Sequence, residues 1–293
     1  MSDLSPYQAP ESELSENTFQ ANSEILVNKV PVMRGAYWFF DGFNRFFRNP
    51  FRWTALGAFN FLLFLGMVII AIIPILGSFV PTLLYPVIIA GFMRAAQNQT
   101  RQEMRATDIF YGFQHQTGQL FINGALYLAM TIGAMIITFI IMLVLGFSAF
   151  SMIEGSSNST MMLLGLLMVL IFMALWLPIM MAIWFSPALI ALNNQEGTTA
   201  IALSFKGCLR NFWPYMIYSI TALVFTVGLI AIIMLFVWAV SSGSMSFDAI
   251  PDGLKVGGGI FLGLFSFFCG GPIFFAGVYS AYTDIYSTAE QGD

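Results

Sequence analysis

The chain has 293 residues, of which 58% are hydrophobic and 9% are charged, and its formal net charge is −4. Soluble globular domains usually carry about 25% charged residues. A water-soluble fold of this length could not bury so much apolar surface behind so few charges. The composition therefore excludes a soluble globular protein and requires a lipid bilayer around most of the chain.

The N-terminal stretch differs in composition from the rest of the chain. Its first 24 residues contain five acidic residues and no basic one, together with Pro6, Pro10 and many Ser and Asn residues. Such a stretch buries too little apolar surface to offset the entropy cost of ordering. It has neither the basic nor the apolar region of a signal peptide. We predict a disordered acidic cytoplasmic tail over residues 1–30.

Six apolar stretches are long enough to cross a bilayer as α-helices, which takes about 20 residues each. They predict an all-α integral membrane protein with a six-span domain over residues 31–286, followed by a short cytoplasmic tail at 287–293. Pro81 and Pro86 interrupt the second stretch, and we expect Pro178 to bend the fourth. The predicted spans lie near residues 53–73, 79–95, 120–148, 161–192, 213–240 and 257–282.

The basic residues are distributed asymmetrically between the two sides of these spans. With the predicted topology, Lys255 is the exception among the eleven Lys and Arg residues, and the other ten fall on one side. Short loops rich in Lys and Arg stay on the cytoplasmic side of a bilayer. The distribution therefore predicts that both termini are cytoplasmic.

The spans resemble one another in a way that indicates three repeated helical hairpins. A phenylalanine before each odd span stands 23 residues before a glycine within it, at Phe43 and Gly66, Phe110 and Gly133, and Phe205 and Gly228. Each even span carries a proline followed by apolar residues, at Pro86, Pro187 and Pro272. Repeats of one supersecondary unit show this kind of self-similarity.

The segment before the first span has an amphipathic pattern. Phe39, Phe43, Phe46 and Phe47 recur at helical spacing, with polar residues such as Arg45 between them. This pattern predicts an N-terminal amphipathic helix lying in the membrane interface. Further bases occur before the third and fifth spans, and anionic head groups attract such bases by about 1 kcal/mol each. We call the following set the basic collar and predict that it contacts anionic lipid, or alternatively that it only fixes topology: Arg45, Arg48, Arg52, Arg101, Arg105, Lys206 and Arg210.

Motifs for catalysis or metal binding are absent from the sequence. His115 is the one histidine, and Cys208 and Cys269 do not have the spacing of a zinc site. We therefore expect no catalytic residue, no metal and no cofactor. An enzyme at the cytoplasmic face would have to use Asp41, Asp108, His115 and Asp284.

Polar and small residues within the spans leave two further possibilities. Polar side chains such as Asn60 and Thr226 bond neighbouring helices more often than they bind a substrate. Gly259 and Gly263 form a GxxxG pattern, which allows close helix approach either inside the bundle or between two copies of the chain.

Three stretches carry a resemblance to a known family. They run from Gly35–Trp38 to Pro50–Trp53, from Met93–Ala96 to Asp108–Phe113, and from Phe185–Ile190 to Arg210–Pro214. In these aromatic and proline patterns the chain resembles a family of uncharacterised inner-membrane proteins, mainly from proteobacteria. It is also distantly similar to the membrane domain of glycerophosphodiester phosphodiesterases, without their catalytic domain. The resemblance implies a six-span protein of the bacterial inner membrane and no particular site residues.

Three classes of function remain open on the sequence. The first is non-enzymatic membrane organisation or partner binding, with membrane lipids, a protein partner or a second copy as partners and no nucleic acid. The second is a transporter or lipid-handling protein with a path between the hairpins, which predicts a polar cavity lined by residues such as Asn60 and Thr226. The third, more remote, is an enzyme at the membrane face.

Overall fold

The computed structural model describes residues 25–73, 76–152, 158–240 and 252–288. Two short strands, β1 (Ile25–Val27) and β2 (Tyr286–Thr288), flank the helices. A 3-10 helix (Ala106–Phe110) and a π-helix (Ser266–Gly270) interrupt the α-helical series. The α-helices are α1 (Arg34–Arg48), α2 (Pro50–Ala71), α3 (Leu76–Thr100), α4 (Tyr111–Gln114), α5 (Thr117–Met152), α6 (Asn158–Trp184), α7 (Ser186–Asn193), α8 (Gly197–Arg210), α9 (Phe212–Val240), α10 (Asp252–Phe265) and α11 (Gly271–Ile285).

Six helical segments within the described ranges are long and apolar enough to cross a membrane. The fourth joins α6 to α7, and the sixth joins α10, the π-helix and α11. The predicted all-α integral membrane fold is therefore confirmed. We number the segments as spans one to six: Pro50–Ala71, Phe79–Thr100, Thr117–Val144, Gly165–Asn193, Phe212–Phe236 and Lys255–Ile285.

Span two is the central helix of the bundle. Of its apolar window 56% is buried, against 11% or less in each of the other five spans. It contacts α2, α5, α7 and α11. Gly91 and Gly124 permit this close packing around span two, because a Cβ at either position would lie within 3 Å of the backbone of a neighbouring segment. A helix enclosed by protein does not face lipid, which explains why span two is the least hydrophobic of the six.

Two of the even spans are discontinuous. Span four breaks at Phe185, whose backbone N–H donates to Ser204 Oγ (2.9 Å) instead of continuing the helical ladder. Span six breaks at the π-helix, and Pro272 stands in the first turn of the helix that follows. Helix α6 runs through Pro178, so the break in span four lies seven residues beyond the predicted bend and immediately before Ser186 and Pro187.

The amphipathic segments between spans collect at one end of the bundle, which we call the basic end. Helix α1 packs on α11 of span six, the 3-10 helix and α4 pack on span two, and α8 packs on α6 and α7 of span four. The segments before spans three and five thus pack on the even span that precedes them in the chain. Helix α1, which comes before span one, packs on span six, the last even span. This pattern agrees with three hairpins of similar construction.

Helix α1 differs from the prediction in what it contacts. Its buried residues are Gly35, Trp38, Gly42 and Phe46, and they pack on protein rather than on lipid. Phe46 is 5% exposed whereas Phe47 is 68% exposed, so the two do not share a face as predicted. The glycines explain the difference, because they let the backbone of α1 lie directly against Pro214 and Ile273.

The two termini of the described chain are joined at the basic end. Strand β1 pairs antiparallel with β2, with Leu26 opposite Ser287. The Asn211 side chain accepts a hydrogen bond from Val30 N and donates one to Asn28 O, both at 2.8 Å. The predicted tails, 1–30 and 287–293, were therefore too long, since apolar residues at 25–27 find a partner strand. Residues 1–24 and 289–293 lie outside the described residues.

Packing is dense at the basic end and open towards the opposite end. The largest fully buried side chains include Trp38, Trp53, Phe92 and Phe185, all near the basic end. In the opposite half a Cβ added at Gly66, Gly133, Gly165, Gly228, Gly259 or Gly263 would meet no atom within 4 Å. Within the described residues, the GxxxG pattern therefore makes no close helix contact inside the bundle, contrary to the first of its two expected roles.

Candidate functional site

A cavity of about 330 Å³ lies between spans two, three, four and six. Sites for small molecules usually measure about 300–1,000 Å³ and are lined mainly by apolar and aromatic residues. We call this cavity the larger chamber. Its lining residues are Pro81, Thr82, Tyr85, Ile89, Tyr127, Met180, Ile183, Trp184, Phe274, Phe275 and Val278.

The larger chamber lies within the span region, next to the closely packed basic end. Tyr127 follows Thr117, the start of span three, by ten residues, or about 15 Å along the helix. The Trp184 ring contacts Tyr215, which is three residues after Phe212, the start of span five. The chamber therefore begins about one turn inside the basic end.

The breaks in the even spans explain why the chamber exists. Trp184 is the last residue of α6, directly before the break at Phe185. Phe274 and Phe275 follow Pro272 in the first turns of α11. Helices that change direction at one level cannot pack side by side along their whole length, so a space opens there. Residues within three positions of the related prolines, namely Tyr85, Trp184 and Phe274, therefore line one cavity.

A few polar atoms are placed in this apolar lining. The Trp184 indole Nε1 is buried and has no hydrogen-bond partner within the described part of the chain. Its ring is held edge-on by Tyr215 and Phe274, with centroid distances of 6.2 and 5.9 Å. Tyr85 and Tyr127 add hydroxyl groups to the lining. The Trp184 nitrogen is enclosed by protein atoms, so Trp184 contributes apolar ring surface rather than a free donor to the lining.

A second cavity adjoins the first. It measures about 120 Å³ and lies between α6, α8 and α9, and we call it the smaller chamber. Met180 and Trp184 line both chambers and so form the ridge between them. The remaining lining residues are Leu177, Met181, Cys208, Phe212, Tyr215, Met216, Tyr218 and Ser219.

The basic collar is divided by the structure into bonded and exposed members. Arg45 Nε donates to Ser280 Oγ (2.9 Å), and its guanidinium lies 4.9 Å from the centre of the Tyr279 ring. Burial is the largest influence on the pKa of Arg45 and lowers it from its ordinary value. Arg210 donates to Val27 O (2.8 Å). The exposed members are Arg48, Arg52, Arg101, Arg105, Lys206 and also Arg210, whose exposed side chain makes the bond to Val27.

Arg45 is therefore an internal residue rather than the predicted lipid contact. The Arg45 side chain is held by Ser280 and Tyr279, which both belong to α11. The sequence pattern placed Arg45 on the polar face of an isolated helix. The tertiary contact with α11 determines the partner of that side chain instead.

The residues named for a membrane-face enzyme each make a structural contact. Asp284 accepts from Arg34 Nε (2.7 Å) and from Trp38 Nε1 (2.6 Å), and Arg34 lies 3.6 Å from Asp41. Asp108, Asn98 and Arg105 form a second group, in which Asp108 accepts from the Asn98 amide (3.1 Å) and from Arg105 N (2.9 Å).

His115 stacks on Tyr111, with the ring centroids 4.4 Å apart. Of the four candidate residues, Asp41 and Asp284 thus share Arg34, whereas Asp108 and His115 belong to two other local contacts of the basic end. Among the described residues no group of three or more His, Cys, Asp or Glu side chains is arranged to hold a metal ion.

The cavity is lined by residues that the sequence reasoning did not select. Asn60 and Thr226, named for a polar path, do not line either chamber, and Thr226 is exposed on α9. The side chains that do line the larger chamber include Tyr85 and Trp184. Both lie within three residues of a proline of the repeat, Pro86 or Pro187, and this proximity was the available signal.

Comparison with known proteins gives one informative relative. The chain is 26% identical over 203 residues to a Burkholderia thailandensis protein named "Probable inner membrane protein", and the alignment covers 66% of this chain and 73% of that protein. No family model matches the chain, and no solved structure matches it. This relative and the six apolar helices together support a multi-pass inner-membrane location. The distant similarity to the membrane domain of glycerophosphodiester phosphodiesterases receives no support.

Proposed function

We propose that this protein is a non-enzymatic lipid-handling protein of the inner membrane, which holds a membrane lipid in the larger chamber. The observation that carries the proposal is a cavity of about 330 Å³ between four spans that is lined mainly by apolar and aromatic side chains. In a membrane, the molecules with access to such a cavity are mainly lipids. An empty cavity of this size would forfeit the dispersion contacts of its lining, whereas an acyl chain restores them.

The lining chemistry supports binding rather than reaction. Tyr85, Tyr127, Thr82 and Trp184 supply hydroxyl and indole groups, and no carboxylate, amine or imidazole lines the chamber. General acid–base catalysis most often uses histidine, carboxylate or amine side chains, and the described lining has none of them. Its apolar side chains bind the acyl chain of a lipid, and the Trp184 ring forms part of that apolar wall.

Replacing Trp184 tests the proposal with a closely matched control. Trp184→Phe keeps an aromatic ring against Tyr215 and Phe274 but removes part of the apolar wall of the larger chamber. Lipid retention should weaken about fivefold, or ~1 kcal/mol for about 40 Å² of lost apolar contact. Trp176→Phe is the control, because Trp176 also has a buried, unpaired Nε1 on α6 but lines neither chamber. The measurement is quantitative mass spectrometry of lipids that remain bound after purification in mild detergent.

The two variants must differ for the proposal to stand. If Trp184→Phe and Trp176→Phe retain the same lipids in the same amounts as the unmodified protein, the larger chamber is not a lipid site. The same conclusion follows if the unmodified protein, purified under these conditions, carries no lipid in stoichiometric amount.

A second candidate function is membrane organisation through the basic collar, with both termini in the cytoplasm. It is supported by the six exposed members of the basic collar, since lipid head groups on the cytoplasmic side are anionic. Substituting Arg48, Arg52 and Arg101 together by Gln should reduce enrichment of anionic over zwitterionic lipid around the protein in mixed nanodiscs. The enrichment should also fall with added salt. Equal enrichment for the triple variant and the unmodified protein would rule this function out.

A further inference from the structure

The chain enters and leaves the described structure at one point of the basic end. Ile25, the first residue of β1, is paired with Thr288, the last residue of β2. The segments 1–24 and 289–293 therefore join the bundle side by side at this two-stranded sheet. Their side chains are tethered next to the surface that surrounds the sheet.

Exposed basic side chains surround this sheet. Arg210 donates through Nη1 to Val27 O (2.8 Å), so its exposed side chain lies beside β1. Lys206 is four residues before Arg210 on α8 and is also exposed, so the two lie on one face of that helix. Lys29 is exposed in the segment after β1, which Asn211 holds at the end of α8. We call Lys29, Lys206 and Arg210 the exit patch.

The exit patch makes no ion pair with any residue that the structure describes. The ion pairs of the described residues involve Arg34 and Lys255 instead. Arg210 has five N–H groups and uses one of them on a backbone carbonyl. Like charges on one surface repel one another, so an anionic partner stabilises the patch.

The segment tethered at this patch is acidic. It carries no base and five acids, which are Asp3, Glu11, Glu13, Glu16 and Glu24. Glu16 stands nine residues before Ile25, and an extended chain of nine residues spans about 30 Å. Helix α8, which carries two bases of the patch, has 14 residues and is about 21 Å long. The carboxylates of the segment can therefore reach the whole exit patch.

The tether makes weak ion pairs sufficient. A single exposed ion pair favours association only slightly. Because the segment belongs to the same chain, however, its effective concentration at the patch is on the order of millimolar. Several weak pairs together are then enough to occupy the patch. Salt weakens such pairs, and an anionic lipid surface competes for the same bases, so the contact is reversible.

We propose that residues 1–24 are an intramolecular ligand of the exit patch, whose bases their carboxylates cover until anionic lipid head groups displace them. The contact with the patch does not depend on the larger chamber. Its effect on lipid rests on the second candidate function, the attraction of anionic lipid by the basic collar. The proposal goes beyond that function by giving part of the collar an internal competitor.

The three lysines of the chain allow a direct test by carbodiimide cross-linking, which joins a carboxylate to an amine in contact with it. In a non-ionic detergent at low ionic strength, residues 1–24 should be cross-linked to Lys206. They should not be cross-linked to Lys255, which is at the opposite end of the bundle. In about 0.5 M salt, which screens charges beyond about 4 Å, the Lys206 product should fall at least about threefold. The products are quantified by mass spectrometry of peptides.

A charge variant separates docking from mere nearness. Glu11→Gln combined with Glu13→Gln removes two charges and leaves Glu16 to react, so the product of Glu16 with Lys206 should fall about twofold or more. Glu103→Gln is the control, because Glu103 is an exposed acid outside the segment, and it should leave the yield unchanged. The proposal is overturned by the absence of a Lys206 product, by equal yields at Lys206 and Lys255, or by a yield that neither salt nor the double substitution lowers.

The competition with lipid is measured in mixed nanodiscs. Replacing all five acids of residues 1–24 by Asn or Gln should raise the enrichment of phosphatidylglycerol over phosphatidylcholine around the protein about twofold or more. Unchanged enrichment would show that the segment does not compete with lipid. Failure of the second candidate function is distinguishable, because the cross-link to Lys206 in detergent does not depend on lipid.

Discussion

At the scale of single residues, the contacts of Asp284 show how the basic end is held together. Its carboxylate accepts from the Arg34 guanidinium on one side and from the Trp38 indole on the other, which ties the start of α1 to the end of α11. The hydrogen bond and charge of Asp284 are the main reason that the pKa of Arg34 is raised. Trp38 is fully buried, so its N–H depends on this one carboxylate.

Removing that carboxylate should destabilise the protein. Asp284→Ala leaves the buried Trp38 N–H without an acceptor, at a cost of about 1–3 kcal/mol. Asp252→Ala is the control, because the Asp252 side chain is 95% exposed and its pair with Lys255 should contribute little. The midpoint of thermal unfolding in detergent should fall for Asp284→Ala and stay unchanged for Asp252→Ala. Equal midpoints for the two variants would contradict this role of Asp284.

At the scale of elements, the position of α1 depends on glycine rather than on its amphipathic pattern. A Cβ at Gly42 would lie 2.5 Å from the carbonyl oxygen of Ile273 and 3.1 Å from Gly277 N. Both are backbone atoms of α11, so neither can rotate out of the way. The two helices can approach this closely only without a side chain at that position.

Adding one methyl group at this contact should therefore separate α1 from α11. Gly42→Ala is expected to destabilise the protein by about 1–3 kcal/mol, the usual range for overpacking. Gly66→Ala, at a span glycine with nothing within 4 Å, should be neutral or slightly stabilising. Thermal unfolding of the two variants in the same detergent makes the comparison. A smaller effect at Gly42 than at Gly66 would show that the contact does not constrain the helices.

At the scale of the whole molecule, the protein has one closed end and one open half. The buried core, the paired strands and the amphipathic segments all lie at the basic end. The opposite halves of the spans carry exposed apolar side chains instead. The chambers lie where these two regions meet. A bundle of this shape is closely packed at one end and exposes apolar side chains along the rest of its spans, which is the arrangement that the proposed function needs.

The orientation of this asymmetric molecule can be tested by labelling with a membrane-impermeant maleimide. Lys206→Cys should react in inverted membrane vesicles only, and Gly253→Cys, at the opposite end, should react in spheroplasts only. The unmodified protein is the control, because Cys208 is 4% exposed and burial raises its pKa to about 12. Too little thiolate is present at neutral pH for it to react. The opposite labelling pattern would reverse the proposed orientation.

Much of the architecture was predictable from the sequence because the bilayer imposes a simple rule. A span must be long, apolar and helical, since backbone groups in hydrocarbon have no water to bond. Composition and the positions of charged residues therefore determined the all-α membrane fold, the six spans and the clustering of bases between them. The sequence also showed the repeated prolines of the even spans, but it did not show that residues beside them line a cavity.

The tertiary structure alone decided the remaining features, because they depend on contacts between segments far apart in the chain. Pairing of residues 25–27 with 286–288 ended the predicted tails early, and Ser280 on α11 bonded Arg45, which a helical pattern had placed towards lipid. The larger chamber arises where the breaks in spans four and six lie side by side. The sequence of one span does not show that its break neighbours the break of another. The sequence thus determined which parts of the chain belong in the membrane, and packing between distant segments determined where the chambers lie.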